Sequence, residues 1–228
     1  MSEILSQYLN PKTHQLITVT PAEELENPLE LDYLTNGDSE SAFKTVIDKF
    51  NCQDIFNELA NDLFNGDLEK FQEENDKVNN AQDLFKNLLI IAKQKNKLIY
   101  PITKYEHSDI KYYIGADCGW DRGACGYILV DQVKNPAKNE KETIENYLNP
   151  ILNDFSDYVN GYVYDVSLED LNENNEPTDD EKYGYYIAYA NRFDYDNLKQ
   201  VLDNFGIDQQ QNWYPAITET KIRYKIAK

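Results

Sequence analysis

Residues 97–130, KLIYPITKYEHSDIKYYIGADCGWDRGACGYILV, decide the predicted fold. Three runs within them, Leu98–Ile102, Tyr112–Ile114 and Tyr127–Val130, are rich in β-branched and aromatic residues. Runs of this length and composition are typical of strands. We therefore expect a β-sheet to begin directly after Lys97.

Apolar residues recur at spacings of three and four on the N-terminal side of this stretch, which is the pattern of amphipathic helices. Before them, prolines interrupt short extended pieces over the first 40 residues. The spacing predicts helices over residues 40–50, 53–65 and 80–95.

The same spacing returns over Thr143–Tyr158 on the C-terminal side, where Pro150 should kink or divide the helix. Beyond it we expect a strand pair joined by an acidic loop, then a short helix ending at Gly206, then an edge strand with lysines on one face. The predicted ranges are 161–166 and 183–189 for the pair, 194–205 for the helix and 217–226 for the last strand.

These patterns predict an α+β fold with a helical N-terminal part, followed by a mostly antiparallel sheet with one or two packed helices. The chain of 228 residues is long enough for one large domain or two small ones. No linker rich in Gly, Ser or Pro marks a boundary. We place it at the change of pattern, between a mainly helical subdomain (1–96) and a sheet subdomain (97–228).

Charge limits the possible partners. The chain has 41 acidic and 22 basic side chains, a net charge of −19. Nucleic acid and anionic lipid are held mainly by Lys and Arg, so direct binding to either is disfavoured. A basic protein would be attracted instead.

The sequence also predicts where the protein resides. No apolar run approaches the roughly 20 residues that span a bilayer, and the N-terminus has no secretory signal. Three cysteines without a CxxC pair suit free thiols in a reducing compartment. We expect a cytoplasmic protein.

The densest acidic stretch, Glu169–Glu181, contains Pro177 and has no apolar periodicity, so it reads as a solvated loop. One interpretation is that its charge serves solubility alone, and the other is that it forms an electrostatic patch for a basic partner. The patch would consist of seven carboxylates, those of Glu169, Asp170, Glu173, Glu176, Asp179, Asp180 and Glu181.

The chain offers few candidates for catalysis. Of its two histidines, His14 reads as an exposed bystander, whereas His107 precedes strands that could bring Cys118 or Cys125 near it. Asp117 and Asp121 would complete such a site. The alternative is a turn histidine with buried thiols, since cysteine is often buried.

Four of the nine glycines lie within Gly115–Gly126. The stretch lacks the GK[ST] ending of a phosphate loop and the ligand spacing of a metal site, so we expect no metal and no cofactor. It reads either as a structured turn or as a partner-binding or catalytic loop. In the partner-binding interpretation, Trp120 is an anchor and Asp121 shapes the loop.

Three stretches resemble, in order, a family of uncharacterised acidic proteins carried by phages and mobile elements of Gram-positive bacteria. Asn27–Leu34 is similar to its NPREWDNLG-like motif. Tyr105–Ser108 followed by Asp117–Ile128 resembles YxHSG followed by CPWDSGQVGxIYV, and Tyr158–Tyr164 resembles YLxGxVYG. The match covers about half of the chain.

This sequence departs from that pattern at Gly119, where the family has Pro, at Arg122, where it has Ser, and by lacking a histidine-rich portion. The resemblance implies a setting, a phage or mobile element in a bacterial cell, rather than an activity. Genes of that setting include small acidic inhibitors of restriction and CRISPR nucleases.

The phage or mobile-element setting and the negative charge together suggest a non-enzymatic anti-defence protein. It would bind a basic host protein or nucleoprotein complex, most concretely a CRISPR effector or restriction nuclease, by nucleic-acid mimicry. A charge of −19 equals the phosphate charge of about 10 base pairs of DNA. The alternatives are an enzyme built around His107 and Cys118, or an accessory protein without a defence target.

Overall fold

A computed structural model shows an α+β protein with two antiparallel sheets. The structure describes residues 4–23, 27–29, 42–47, 52–78, 81–116, 119–174, 176, 178, 184–189, 195–207, 213–219 and 222–226. The helices are α1 (Cys52–Phe64), α2 (Leu68–Asp76), α3 (Ala81–Gln94), α4 (Glu140–Thr143), α5 (Asn149–Val159) and α6 (Tyr195–Asn204).

One sheet has six strands in the order β10-β9-β1-β2-β7-β8 and the other has four in the order β3-β6-β4-β5. The strands formed by the described residues are β1 (Ser6–Asn10), β2 (Gln15–Pro21), β3 (Phe43–Ile47), β4 (Lys97–Glu106), β5 (Ile110–Ile114), β6 (Arg122–Asp131), β7 (Val163–Asp170), β8 (Gly184–Tyr189), β9 (Tyr214–Glu219) and β10 (Ile222–Ile226).

The chain divides into two compact units. The first unit contains residues 1–26 and 157–228, and the second unit contains residues 27–156. The predicted boundary at residues 96 and 97 falls inside the second unit, because Leu88 and Ala92 of α3 share a core with Ile99 of β4. A mainly helical N-terminal part is not confirmed, since its described residues form β1, β2 and β3 as well as α1, α2 and α3.

The six-stranded sheet packs against α6 in the first unit. Strand alternation brings Ile17, Val19 and Val166 to one face, where they meet Leu198 of α6 and the buried Trp213. The predicted pairing of β7 with β8 is confirmed. The last predicted strand is instead two strands, β9 and β10, which pair with each other and leave β10 at the sheet edge.

Helices cover both faces of the four-stranded sheet in the second unit. On one face, Leu59, Leu63 and Leu88 of α1 and α3 pack with Tyr127 and Leu129 of β6. On the other face, the ring of Phe43 stacks on Tyr147 with centroids 5.3 Å apart, and Tyr112 contacts Phe155 at 5.0 Å. The sheet is therefore the middle layer of a three-layer arrangement.

The predicted helix over residues 40–50 was wrong, because residues 43–47 within its described part form β3. Three successive β-branched residues, Thr45, Val46 and Ile47, favour a strand. Pairing with β6 buries Phe43 and half-buries Val46. A short apolar run does not distinguish a buried strand from a helix by spacing alone.

The predicted division of the helix near Pro150 is confirmed. A π-helical segment, Ile144–Leu148, joins α4 to α5. At its end the Asn149 N–H donates to the Ile144 carbonyl, five residues back. Pro150 lacks an N–H, so the regular hydrogen-bond ladder cannot continue unchanged at this position.

A half-buried carboxylate fixes α1 on this sheet. Both oxygens of Asp62 are engaged: Oδ1 lies 2.6 Å from Lys44 Nζ, and Oδ2 accepts a hydrogen bond from the Tyr127 hydroxyl at 2.9 Å. Burial, together with the nearby Asp62 charge, raises the pKa of Tyr127. The Asp62 carboxylate therefore serves packing.

Candidate partner-binding surfaces

The glycine-rich stretch lies between β5 and β6, which are not neighbours in the sheet. Both strands pair with β4, on opposite sides of it. At the end of β5, the Gly115 N–H donates to the Pro101 carbonyl at 2.9 Å. The Thr103 hydroxyl donates to the Gly115 carbonyl at 2.7 Å.

Gly126 serves a different purpose, the close approach of two strands. A Cβ atom at this position would lie 2.0 Å from the carbonyl oxygen of Val46 on β3. Only glycine fits there without displacing β3. The close approach of β3 thus explains Gly126, whereas Gly115 has a φ of 154°, a conformation that favours glycine.

A tight turn, Gly119–Arg122, presents Trp120 to solvent. The Gly119 N–H donates to the Arg122 carbonyl at 3.1 Å, and the Arg122 N–H donates to the Gly119 carbonyl at 3.4 Å. The Asp121 carbonyl accepts from the Glu106 N–H of β4 at 2.9 Å, which ties the turn to the sheet. Trp120 is fully exposed.

Arg122 supports the turn from the strand side, with its guanidinium 5.7 Å from the ring centroid of Tyr105. The Asp121 side chain is exposed beside Trp120. A large aromatic group on a fixed turn has low conformational cost on binding. The two residues predicted as anchor and loop former therefore lie together at an exposed tip.

The candidate catalytic residues are only partly described. His107 is exposed in the turn between β4 and β5. Cys118 and Asp117 lie outside the described residues. Cys125 is buried, with Sγ 3.6 Å from the Ile102 carbonyl oxygen, and burial raises its pKa to about 11. It is therefore a protonated thiol at neutral pH and unsuited to act as a nucleophile.

The acidic stretch begins on a strand. Glu169 and Asp170 belong to β7, paired with Leu16 and Gln15 of β2, which corrects the expectation of a loop from residue 169. The strand continues because Val166 and Leu168 alternate with polar residues and face the core. The Gln15 side-chain amide donates to Asp170 Oδ1 at 3.1 Å.

The segment after β7 is organised by Asn172. Its side-chain oxygen accepts the N–H groups of Asn174 at 2.8 Å and Glu176 at 3.0 Å. The Asn172 N–H donates to the Glu176 carbonyl at 2.8 Å, and the Thr178 N–H donates to the Asp170 carbonyl at 3.2 Å. These bonds fold the segment back towards the end of β7.

A second contact holds the start of this segment, because the Leu171 N–H donates to the His14 carbonyl of the β1–β2 turn at 2.7 Å. His14 itself has a φ of 53° and an exposed side chain, as expected for a turn residue. The acidic end of β7 is thereby fixed to its neighbouring hairpin.

We call Glu169, Asp170, Glu173 and Glu176 the acidic patch. Glu173 and Glu176 are exposed, while Glu169 and Asp170 are half-buried. Within the described ranges, none of the four forms an ion pair. The other predicted members of the patch, Asp179, Asp180 and Glu181, lie outside the described residues.

The described residues contain no group of three or more His, Cys, Asp or Glu side chains arranged to hold a metal ion. In the part of the chain that the structure describes, every helix is too short or too polar to cross a bilayer.

Comparison with known proteins found no matching family model, no matching curated protein and no matching solved structure.

Proposed function

We propose that this chain is a phage or mobile-element protein that inhibits a basic nucleic-acid-handling complex of its bacterial host, such as a CRISPR effector or a restriction nuclease. It acts in the cytoplasm, by occupying a surface that otherwise holds nucleic acid. The observation that carries the proposal is the acidic patch, whose carboxylates have no cationic partner among the described residues.

The patch suits this role because its support is ordered. Two of its carboxylates project from a paired strand, and the next two follow Asn172, whose hydrogen bonds fix the chain direction. Charges held in place lose less entropy on binding than charges on a random tail. Unpaired carboxylates also avoid the cost of breaking an internal ion pair before meeting a lysine or arginine.

The net charge supports the same mechanism at longer range. A chain with −19 charges is steered towards a positively charged channel, and the association rate rises most at low ionic strength. Trp120 contributes differently, since an exposed tryptophan that becomes buried slows dissociation. The patch would set the rate of encounter, and Trp120 the lifetime of the complex.

The experiment is capture of partners from host lysate by the tagged chain, at low and high salt, with mass spectrometry of the eluate. A variant with Glu169, Glu173 and Glu176 changed to Gln, the patch variant, removes three charges from the acidic patch. A charge-matched control changes Glu69 and Glu73 to Gln and Asp76 to Asn on α2, where all three are exposed.

We expect wild type and the α2 variant to capture a nuclease or CRISPR complex that salt releases, and the patch variant to capture much less. Equal loss in both variants would show that net charge alone governs capture and would contradict the patch assignment. Wild-type chain that captures no nucleic-acid-handling protein would contradict the proposed function.

A further inference from the structure

The four-stranded sheet has two outer strands, β3 and β5, and their free edges differ. At β5, the outward-facing N–H of Tyr112 donates to Ser156 Oγ of α5 at 2.9 Å. The Tyr112 ring lies against Phe155 of the same helix, with centroids 5.0 Å apart. Helix α5 therefore covers the β5 edge.

The direction of the backbone groups on β3 follows from its pairing with β6. The Asp131 N–H donates to the Ala42 carbonyl at 2.8 Å, and Lys44 and Val46 lie opposite Leu129 and Tyr127. In an antiparallel pair alternate residues bond to the neighbour, so Ala42, Lys44 and Val46 bond towards β6.

The backbone groups of Thr45 and Ile47 therefore face away from the sheet. No described residue pairs with them. Such a row of donors and acceptors is a template for another strand. Half-buried Thr45, Val46 and Ile47 form an edge of strong β-formers.

Natural edge strands are often protected by a lysine that projects across the edge. Lys44 is instead directed to α1, with Nζ 2.6 Å from Asp62 Oδ1 and 3.5 Å from Glu58 Oε2. Burial lowers the pKa of Lys44, but its bonds to Asp62 and Glu58 outweigh this effect and hold the pKa above its usual value. Lys44 is thus a structural cation.

We propose that β3 receives an extended segment of a basic partner as a fifth strand of this sheet. A strand is the structure that satisfies the outward backbone groups of Thr45 and Ile47. Lys44, Glu58 and Asp62 beside the edge sum to −1, which favours a lysine- or arginine-bearing segment. A second copy of this chain, itself at −19, would be repelled. That the partner is basic rests on the proposed function.

The test uses a synthetic peptide in which lysine alternates with valine and threonine, added to isotope-labelled full-length protein. Hydrogen exchange of individual amides is followed by NMR. The matched control is the same peptide methylated on every backbone nitrogen, which keeps the charge but cannot donate to a strand. We expect the parent peptide to slow exchange at Thr45 and Ile47 at least tenfold and the methylated peptide to leave it unchanged.

Two variants sharpen the result. Thr45→Pro removes an N–H that the sheet does not use, and proline is tolerated on edge strands, so the fold should persist while protection at Ile47 is lost. Thr45→Ser keeps the N–H and should retain protection.

Equal effects of the two peptides, or no protection at Thr45 and Ile47 at saturating peptide, would overturn the β3 assignment. Capture of a nuclease by Thr45→Pro at the wild-type level would also overturn it while leaving the proposed function intact. Failure of the wild-type chain to capture any such partner would instead remove the proposed function.

Discussion

Carboxylates of the same chemistry have opposite surroundings in the two units. In the second unit, Asp62 is 13% exposed and both its oxygens are bound, one by Lys44 and the other by the Tyr127 hydroxyl. In the first unit, Glu173 is exposed at the end of β7 and has no cation within the described residues. The difference separates charge that holds the fold from charge that is available to a partner.

Net charge alone does not distinguish these two roles of a carboxylate. A compensated, half-buried carboxylate contributes mainly to stability, and a partner senses only the net charge that it leaves together with its cation. An uncompensated, exposed carboxylate contributes little to stability and retains its full attraction for a cation. Glu173 and Glu176 of the acidic patch belong to the second kind.

The largest expected effect is on stability in the second unit. Asp62→Ala leaves the buried Tyr127 hydroxyl without its acceptor and Lys44 without its nearest partner, so the free energy of unfolding should fall by about 2–4 kcal/mol. Urea denaturation measures this change. Glu58→Ala is the control, because Glu58 is half-exposed and 3.5 Å from Lys44, and it should cost less than about 0.5 kcal/mol. Equal losses of unfolding free energy in the two variants would show that Asp62 stabilises the fold no more than an exposed carboxylate.

A smaller effect in the second unit is expected from pH. Burial raises the pKa of Cys125 from 9.0 to about 11, so between these values the folded state keeps a proton that the unfolded chain has lost. The thiol therefore stabilises the fold below about pH 9, and this contribution disappears as pH rises to 11. Unfolding free energy should fall by about 1 kcal/mol from pH 8 to pH 10 through this thiol.

The Cys125→Ala variant isolates that contribution. From pH 8 to pH 10 the unfolding free energy of this variant should fall by about 1 kcal/mol less than that of the wild type. Identical pH slopes for the variant and the wild type would show that Cys125 titrates as an exposed thiol.

The smallest effect on stability is expected in the acidic patch. Changing Glu169, Glu173 and Glu176 to Gln removes no ion pair among described residues, so the free energy of unfolding should change by less than about 0.5 kcal/mol. The same urea titration measures it. A loss of 2 kcal/mol or more would place these carboxylates with Asp62, as parts of the fold.

Sequence periodicity identified the elements that depend on local pattern. The helices α1 and α3 show repeated spacing of three and four and were predicted closely, as was α6 with its end at Gly206. Strand β3 was missed because its five residues are fewer than two helical turns, too short for spacing to decide. Its β-branched residues favour a strand, and pairing with β6, which is distant in the sequence, stabilises it.

The candidate surfaces were predictable to a similar extent. The glycine-rich stretch was interpreted as a structured turn or as a binding or catalytic loop, and its described residues Gly119–Arg122 form a turn with Trp120 at its tip. The position of β4 between β5 and β6 depends on strand order, which no local pattern contains. The acidic loop was predicted to start at Glu169, because the carboxyl side chains of Glu169 and Asp170 are not typical of a strand. Pairing with β2 extends β7 through both residues.

The most direct test of the acidic patch is the association rate constant of the captured host complex, measured against ionic strength. Wild type, the patch variant and the charge-matched α2 variant would be compared. We predict a steep fall with salt for wild type and the α2 variant, and for the patch variant an association about tenfold slower at low salt with a flatter dependence. Identical curves for the two variants would contradict the account.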